Sequence, residues 1–102
     1  KAIKLENSKL IDLITTNYKQ IKSEEIRPVE YKKGKYMIRM IVDHYSYTIL
    51  KFIHKNDSFQ KQIIDYQLET KMIDNKMPNQ NYLYNQRTIL KKVLDLVKKE
   101  IN

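Results

Sequence analysis

The apolar residues of this chain change their spacing twice, and that change limits the folds open to it. From Asn7 to Lys22 they recur every three or four residues, the period of an amphipathic helix, at Leu10, Leu13, Ile14, Tyr18 and Ile21. From Tyr82 to Ile101 the helical period returns, in a stripe of Leu83, Leu90, Val93, Leu94, Val97 and Ile101. Between these segments, residues typical of strands prevail. The sequence therefore predicts a helix near each end and strands in the middle.

Turn-forming residues divide the middle of the chain into four predicted strands. These strands are Ile26–Tyr31, Lys35–Val42, Tyr45–His54 and Phe59 to about Leu68. The connecting turns are Lys32-Lys33-Gly34, a tight turn near Asp43-His44 and Lys55-Asn56-Asp57-Ser58, and Met72–Gln80 reads as a loop. Short connections favour antiparallel pairing. We predict an α+β fold in two layers, with an N-terminal helix, a four-stranded antiparallel meander and a C-terminal helix.

The length of 102 residues indicates one domain, residues 1–102. Because the sequence begins at Lys1 rather than Met, we interpret it as an excised or processed part of a larger chain. The helical periods predict that five side chains are mostly buried: Leu10, Ile14, Leu90, Leu94 and Val97. The second and third strands are apolar on both faces, which is typical of strands covered on both sides. If the helices cover one face, the other is open to a partner.

Composition excludes several classes of protein. With no cysteine, the chain has no disulfide, no thiol nucleophile and no thiolate zinc ligand. With one glycine, it has no glycine-rich phosphate loop, and two histidines leave little material for a metal site. No window approaches the ~18 apolar residues of a transmembrane helix. We therefore expect no catalytic residues, no metal and no cofactor.

The chain is strongly basic, with 20 Lys and Arg against 12 Asp and Glu, a net charge of +8. Only three of the basic residues are Arg. Lys, Ile, Asn and Tyr, all encoded by AT-rich codons, make up 47 of the 102 residues, so codon bias contributes to the lysine excess. The source we expect is a low-GC bacterium, its phage or plasmid, or an AT-rich parasite. The compartment, cytoplasmic or exported, stays open.

The basic residues are densest between Arg27 and Arg39, around the first predicted turn. A hairpin tip of polar residues points into solvent, and tyrosines beside lysines can stack on bases. We predict that an anionic partner or nucleic acid meets the chain there, through Lys32, Lys33, Lys35, Arg39, Tyr31 and Tyr36. Lysine-driven contact is directed to phosphates and tolerates any base sequence.

Two local patterns resemble known families. Glu30-Tyr31-Lys32 resembles the E-x-K motif of restriction-endonuclease-like nucleases, including the RecB-like ones. That resemblance implies a Mg²⁺ site, which would need a second carboxylate, such as Asp12 or Glu25, to converge on Glu30. The order of helix, strands and helix is similar to that of double-stranded-RNA-binding domains. That family has lysines at the start of its last helix, where this chain reads Asn79-Gln80-Asn81-Tyr82.

Three functional hypotheses follow. The first is a noncatalytic protein-interaction or assembly module of a larger or multisubunit system, which binds a protein partner or self-associates. The second is a basic nucleic-acid-binding module that contacts phosphates through the Lys32–Lys35 tip. The third is a metal-dependent nuclease remnant built on the E-x-K string. The sequence identifies neither the partner nor the oligomeric state.

Overall fold

The computed structural model of the chain describes residues 8–74 and 76–101. The predicted mixture of helices and strands is confirmed. Five helices lie in the described part of the chain: α1 (Ser8–Thr16), α2 (Tyr18–Ser23), α3 (Asp65–Glu69), α4 (Tyr82–Arg87) and α5 (Ile89–Ile101). The strands found there are β1 (Glu30–Lys33), β2 (Tyr36–Arg39), β3 (Tyr47–His54), β4 (Asp57–Ile64), β5 (Met72–Ile73) and β6 (Met77–Pro78). The described residues divide into two compact units: a terminal unit, residues 8–24 and 87–101, and a central unit, residues 25–86.

The N-terminal helix is broken where the sequence predicts it to be continuous. Asn17 separates α1 from α2 because its side-chain Nδ2 donates to the carbonyl of Leu13 at 2.9 Å, beside the backbone N–H that reaches the same oxygen at 3.2 Å. An asparagine side chain that bonds the local backbone competes with the regular helix ladder. Asn7, where the predicted helical period starts, lies outside the described residues.

The C-terminal helix is also broken, at Thr88. The Thr88 hydroxyl accepts a hydrogen bond from the backbone N–H of Lys91 at 3.1 Å and so caps α5. The buried carboxylate of Glu24 accepts from the N–H groups of Ile89 and Leu90, at 3.1 and 3.0 Å. An anion is favoured at this end of a helix by the helix dipole. A threonine and a glutamate thus start a new helix inside the predicted one.

The core prediction holds for three of five residues. Leu10, Leu90 and Leu94 are buried, whereas Ile14 and Val97 are only half-buried. In the terminal unit the buried apolar side chains are Leu10, Ile21, Leu90, Val93 and Leu94. In the central unit they are Val29, Phe52, Ile63 and Leu68. Leu83, placed on the same helical stripe by its spacing, is 60% exposed.

The prediction of a four-stranded meander is wrong. The strands form three separate two-stranded antiparallel sheets in the described residues: β1 with β2, β3 with β4, and β5 with β6. All four residues of β2 are exposed, so a third strand beside it would have no buried face to set its register. The residues near Asp43 and His44 make a bend rather than the predicted tight turn.

The fourth predicted strand ends earlier than the sequence predicts. β4 ends at Ile64, not near Leu68, because residues 65–69 form α3 with Asp65 in its first turn, where the helix dipole favours an acid. The predicted loop Met72–Gln80 contains the short β5–β6 pair. The first three predicted strands also start later than predicted, at Glu30, Tyr36 and Tyr47.

Candidate functional site

The β1–β2 hairpin carries the residues that the sequence singles out. Lys33 pairs with Tyr36, and the two turn residues between them are Gly34 and Lys35. Gly34 has a φ of 60°, a left-handed conformation that suits glycine, and a Cβ there would meet no atom within 4 Å. Lys32, Lys33 and Lys35 are all exposed, so the tip presents three ammonium groups to solvent.

The two tyrosines of this hairpin differ in accessibility. Opposite residues of an antiparallel pair share a face, so Tyr31, Lys33, Tyr36 and Ile38 lie on one face of the hairpin. Tyr36 is 74% exposed and lies directly across from Lys33, whereas Tyr31 is half-buried. Only Tyr36 offers most of its ring to a stacking partner beside a lysine.

Arg39 lies on the other face and is already paired. Its Nη2 and Nε atoms lie 2.6 and 2.7 Å from Oε2 of Glu30, its partner across the ladder. The other oxygen of Glu30, Oε1, accepts from Nδ2 of Asn81 at 3.1 Å. Both carboxylate oxygens of the E-x-K glutamate therefore contact protein groups. Among residues 8–74 and 76–101, no three His, Cys, Asp or Glu side chains cluster as metal ligands would.

Two buried asparagines hold the outer edge of β1. Oδ1 of Asn79 accepts from the backbone N–H of Glu30 at 3.1 Å, and Nδ2 donates to the carbonyl of Thr70 at 3.0 Å. Asn81 donates to the carbonyl of Pro28 at 2.8 Å. The carbonyl of Glu30 accepts from the N–H of Gln80 at 2.9 Å. These bonds satisfy the backbone at the start of β1, so its edge is closed there.

A third asparagine, Asn85, is completely buried and holds the segment that leads into β1. Its Oδ1 accepts from the N–H of Arg27 at 2.8 Å, and its Nδ2 donates to the carbonyls of Arg27 at 3.0 Å and Gln67 at 3.2 Å. The guanidinium of Arg27 lies 3.6 Å from the centre of the Tyr84 ring. Sequence reasoning missed the role of these asparagines, because Asn79 lies in the predicted loop Met72–Gln80 and Asn85 lies within the predicted helical segment off its apolar stripe.

The β3–β4 hairpin has an inner and an outer face. On the inner face the rings of Phe52 and Phe59 stack with centroids 4.9 Å apart. Lys61, also on this face, is buried, and its Nζ lies 2.9 Å from a carboxylate oxygen of Glu25. The exposed end of that ion pair is Glu25, at 75%. The inner face is thus packed and its buried cation is paired.

The outer face of β3 is apolar and exposed. Tyr47, Ile49 and Ile53 alternate along the strand and are 50%, 52% and 71% exposed. Lys51, between Ile49 and Ile53, is the one charged residue of the row. Tyr45 extends the row, with its ring 6.1 Å from that of Tyr47 and 6.0 Å from that of Tyr66. The facing positions of β4 are Ser58, Gln60, Gln62 and Ile64.

The pairing register with β4 also determines which backbone N–H and C=O groups of β3 face β4 and which face away from it. The carbonyl of Ser46 accepts from the N–H of Asp65 at 3.0 Å, one step beyond the ladder. Because hydrogen-bonded and non-hydrogen-bonded pairs alternate, every second residue from Ser46 faces β4. The backbone groups that point to the opposite edge belong to Tyr47, Ile49, Lys51 and Ile53. In the described part of the chain β3 pairs with β4 alone, so this edge is open.

No helix in the described ranges is long and apolar enough to cross a membrane. Comparison of the chain with protein-family models, with curated proteins and with solved structures finds no match. Its function is therefore argued from its own surfaces: the basic tip of the β1–β2 hairpin and the apolar edge of β3.

Proposed function

We propose that this chain is a noncatalytic protein-interaction or assembly module, and that the outer face and open edge of β3 bind its protein partner. One observation carries the proposal. Tyr47, Ile49 and Ile53 expose half or more of their side chains on a strand whose edge has no partner in the described residues. Exposed edge strands promote pairing with other chains, and proteins usually protect them with charges, prolines or bulges. β3 has only Lys51 at its centre for this purpose.

The exposed apolar row is also longer than β3 itself. Tyr45 is 48% exposed and continues the row beyond the strand. Contiguous exposed apolar residues mark sites where another molecule binds, whereas single ones need no explanation. A two-stranded hairpin is moreover marginal in stability on its own, and a partner that covers it adds buried area.

Site-specific photocrosslinking in the cells that express the chain tests this proposal. A photoreactive residue is placed at Ile53, with Glu69, exposed on α3, as the control position. We expect one discrete protein adduct from position 53 that excess unmodified chain competes away, and none from position 69. No protein adduct from position 53, or equal adducts from both positions, would overturn the proposal.

The second candidate function is nucleic-acid binding at the β1–β2 tip. It is favoured by the three exposed lysines and by Tyr36, 74% exposed and directly opposite Lys33. Arg39 contributes less than the sequence predicts, because its guanidinium is held by Glu30. The contact would then depend on lysine and phosphate, with steep salt dependence. A photoreactive residue at Lys33 that captures RNA or DNA, with position 53 silent, would favour this candidate.

A further inference from the structure

We infer that the partner contributes an extended segment that adds to the open edge of β3 as an antiparallel strand, with a carboxylate opposite Lys51. This inference rests on the proposed function and specifies its partner. It requires three properties of the edge: free backbone groups, accessible side chains in register with them, and a charge that selects the segment.

The backbone supplies the first property. Four consecutive outward positions, Tyr47, Ile49, Lys51 and Ile53, direct their N–H and C=O groups away from β4. An added antiparallel strand bonds such positions in pairs, so β3 offers eight backbone groups over about 20 Å at ~3.3 Å per residue. The edge of β1 offers no such run, because Asn79 and Gln80 already bond the N–H and C=O of Glu30.

The side chains supply the second property. The four residues with outward backbone groups are the same four whose side chains form the exposed row. Residues directly opposite each other in an antiparallel pair contact through their side chains. The added segment therefore needs apolar residues opposite Tyr47, Ile49 and Ile53. Read from its N-terminus, its pattern is apolar, any, acidic, any, apolar, any, apolar.

Lys51 supplies the third property and disfavours a second copy of this chain as the occupant. If two β3 strands paired about Lys51, the two ammonium groups would lie opposite each other, and like charges in that position are destabilising. If they paired about Leu50, each Lys51 would lie against the Ile49 of the other copy. The net charge of +8 on each chain opposes association as well. A carboxylate opposite Lys51 complements both the lysine and the net charge.

The other edge of the same sheet lacks this combination. The outward positions of β4 are Ser58, Gln60, Gln62 and Ile64, and the first three are polar and exposed. A strand added there would gain backbone bonds but little apolar burial. The two edges of one hairpin therefore differ in what they can bind, and they provide a matched experiment.

The probe is a synthetic peptide that has valine, glutamate, isoleucine and valine at alternate positions, with threonine between them. Its binding to the 102-residue chain is measured by calorimetry. Proline at Ile49 removes an outward N–H and no ladder bond, so the hairpin tolerates it while the edge is blocked. Proline at Gln62, directly opposite on the other edge, is the control. We expect Ile49→Pro to weaken binding at least about tenfold and Gln62→Pro to leave it unchanged.

A charge exchange keeps the inference falsifiable if either proline variant fails to fold. A second peptide replaces the glutamate with lysine. We expect the natural chain to prefer the glutamate peptide by about tenfold, and Lys51→Glu to reverse that preference. Methylation of the peptide N–H groups that face β3 should abolish binding, whereas methylation of the alternate N–H groups should not.

The inference is wrong if the glutamate peptide does not bind, or if Gln62→Pro weakens peptide binding as much as Ile49→Pro does. It is also wrong if the preference for the glutamate peptide over the lysine peptide survives Lys51→Glu unchanged. A dimer in light scattering that Ile49→Pro dissociates would assign the edge to a second copy instead. If position 53 crosslinks a protein and the peptide does not bind, strand addition is wrong and the proposed function stands. If position 53 crosslinks no protein, the proposed function fails first.

Discussion

The β1–β2 and β3–β4 hairpins of the central unit are built alike, but their outer edges differ. Each is a pair of antiparallel strands closed by a two-residue turn. The backbone of β1 is bonded at Glu30 by Asn79 and Gln80, and its tip is basic. The outer edge of β3 has no partner strand among the described residues, and its side chains are apolar apart from Lys51. Hairpin topology therefore does not decide whether a surface is available for pairing; the groups that cover the edge decide it.

The largest effect is expected from removing the asparagine side chain that holds the segment leading into β1. Asn85→Ala deletes three hydrogen bonds to backbone groups of Arg27 and Gln67 and leaves buried groups unsatisfied. We expect the free energy of unfolding in urea to fall by about 2–5 kcal/mol. Gln60→Ala, which removes an exposed amide from β4, should change it by less than about 0.5 kcal/mol. Equal effects would show that the asparagine is no anchor.

The next change tests whether the basic tip is a second interaction surface. Replacing Lys32, Lys33 and Lys35 with Glu should weaken binding to single-stranded DNA or RNA at low salt by about a hundredfold, since charge reversal acts on every phosphate contact. The fold should persist, because exposed charges contribute little to stability. The control reverses the same charge at three exposed lysines elsewhere in the central unit, Lys55, Lys71 and Lys76.

Fluorescence anisotropy measures both variants against the natural chain. If the control weakens binding as much as the tip variant, the contact is with net charge and not with the tip. If the natural chain binds no nucleic acid even at low salt, where electrostatic attraction is strongest, the second candidate function is wrong.

The smallest expected effects come from the two turns. Gly34 and Lys55 occupy the same place in their hairpins and both have positive φ, 60° and 53°. Gly34→Ala should destabilise the chain by about 1 kcal/mol, because a side chain at such a φ is strained even in open space. Lys55→Gly should change stability by less than about 0.5 kcal/mol, since relief of strain is offset by the freedom glycine gains in the unfolded chain. Thermal unfolding measures both, and a stabilised Gly34→Ala would contradict the argument.

The sequence predicts features that depend on local periodicity. The apolar spacing locates the helical segments and the burial of Leu10, Leu90 and Leu94, and the turn residues locate the β1–β2 and β3–β4 hairpins within a few positions. It does not predict the helix breaks. Asn17 and Thr88 break the helices by bonding nearby backbone, and their side chains fit the helical pattern as well as any polar residue.

Pairing between distant segments is the part that local pattern misses. The meander was predicted because the connections are short, but β2 buries none of its residues, so no buried face sets the register of a further strand beside it. Asn79, Asn81 and Asn85 bond backbone 49 to 58 positions away, at Arg27, Pro28 and Glu30. Neither the composition nor the spacing of the apolar residues encodes these long-range hydrogen bonds. The open edge of β3 likewise becomes visible only from the pairing of the described strands, in which β4 is its one partner.

The central claim is that the edge of β3 is open in the free monomer, whereas β1 is closed at Glu30. Amide hydrogen exchange measured by NMR tests it residue by residue. We predict fast exchange at Ile49, Lys51 and Ile53 beside slow exchange at Thr48, Leu50 and Phe52, with Glu30 protected by Asn79. Slow exchange at Ile49, Lys51 and Ile53 in the monomer, without any added strand, would contradict the account.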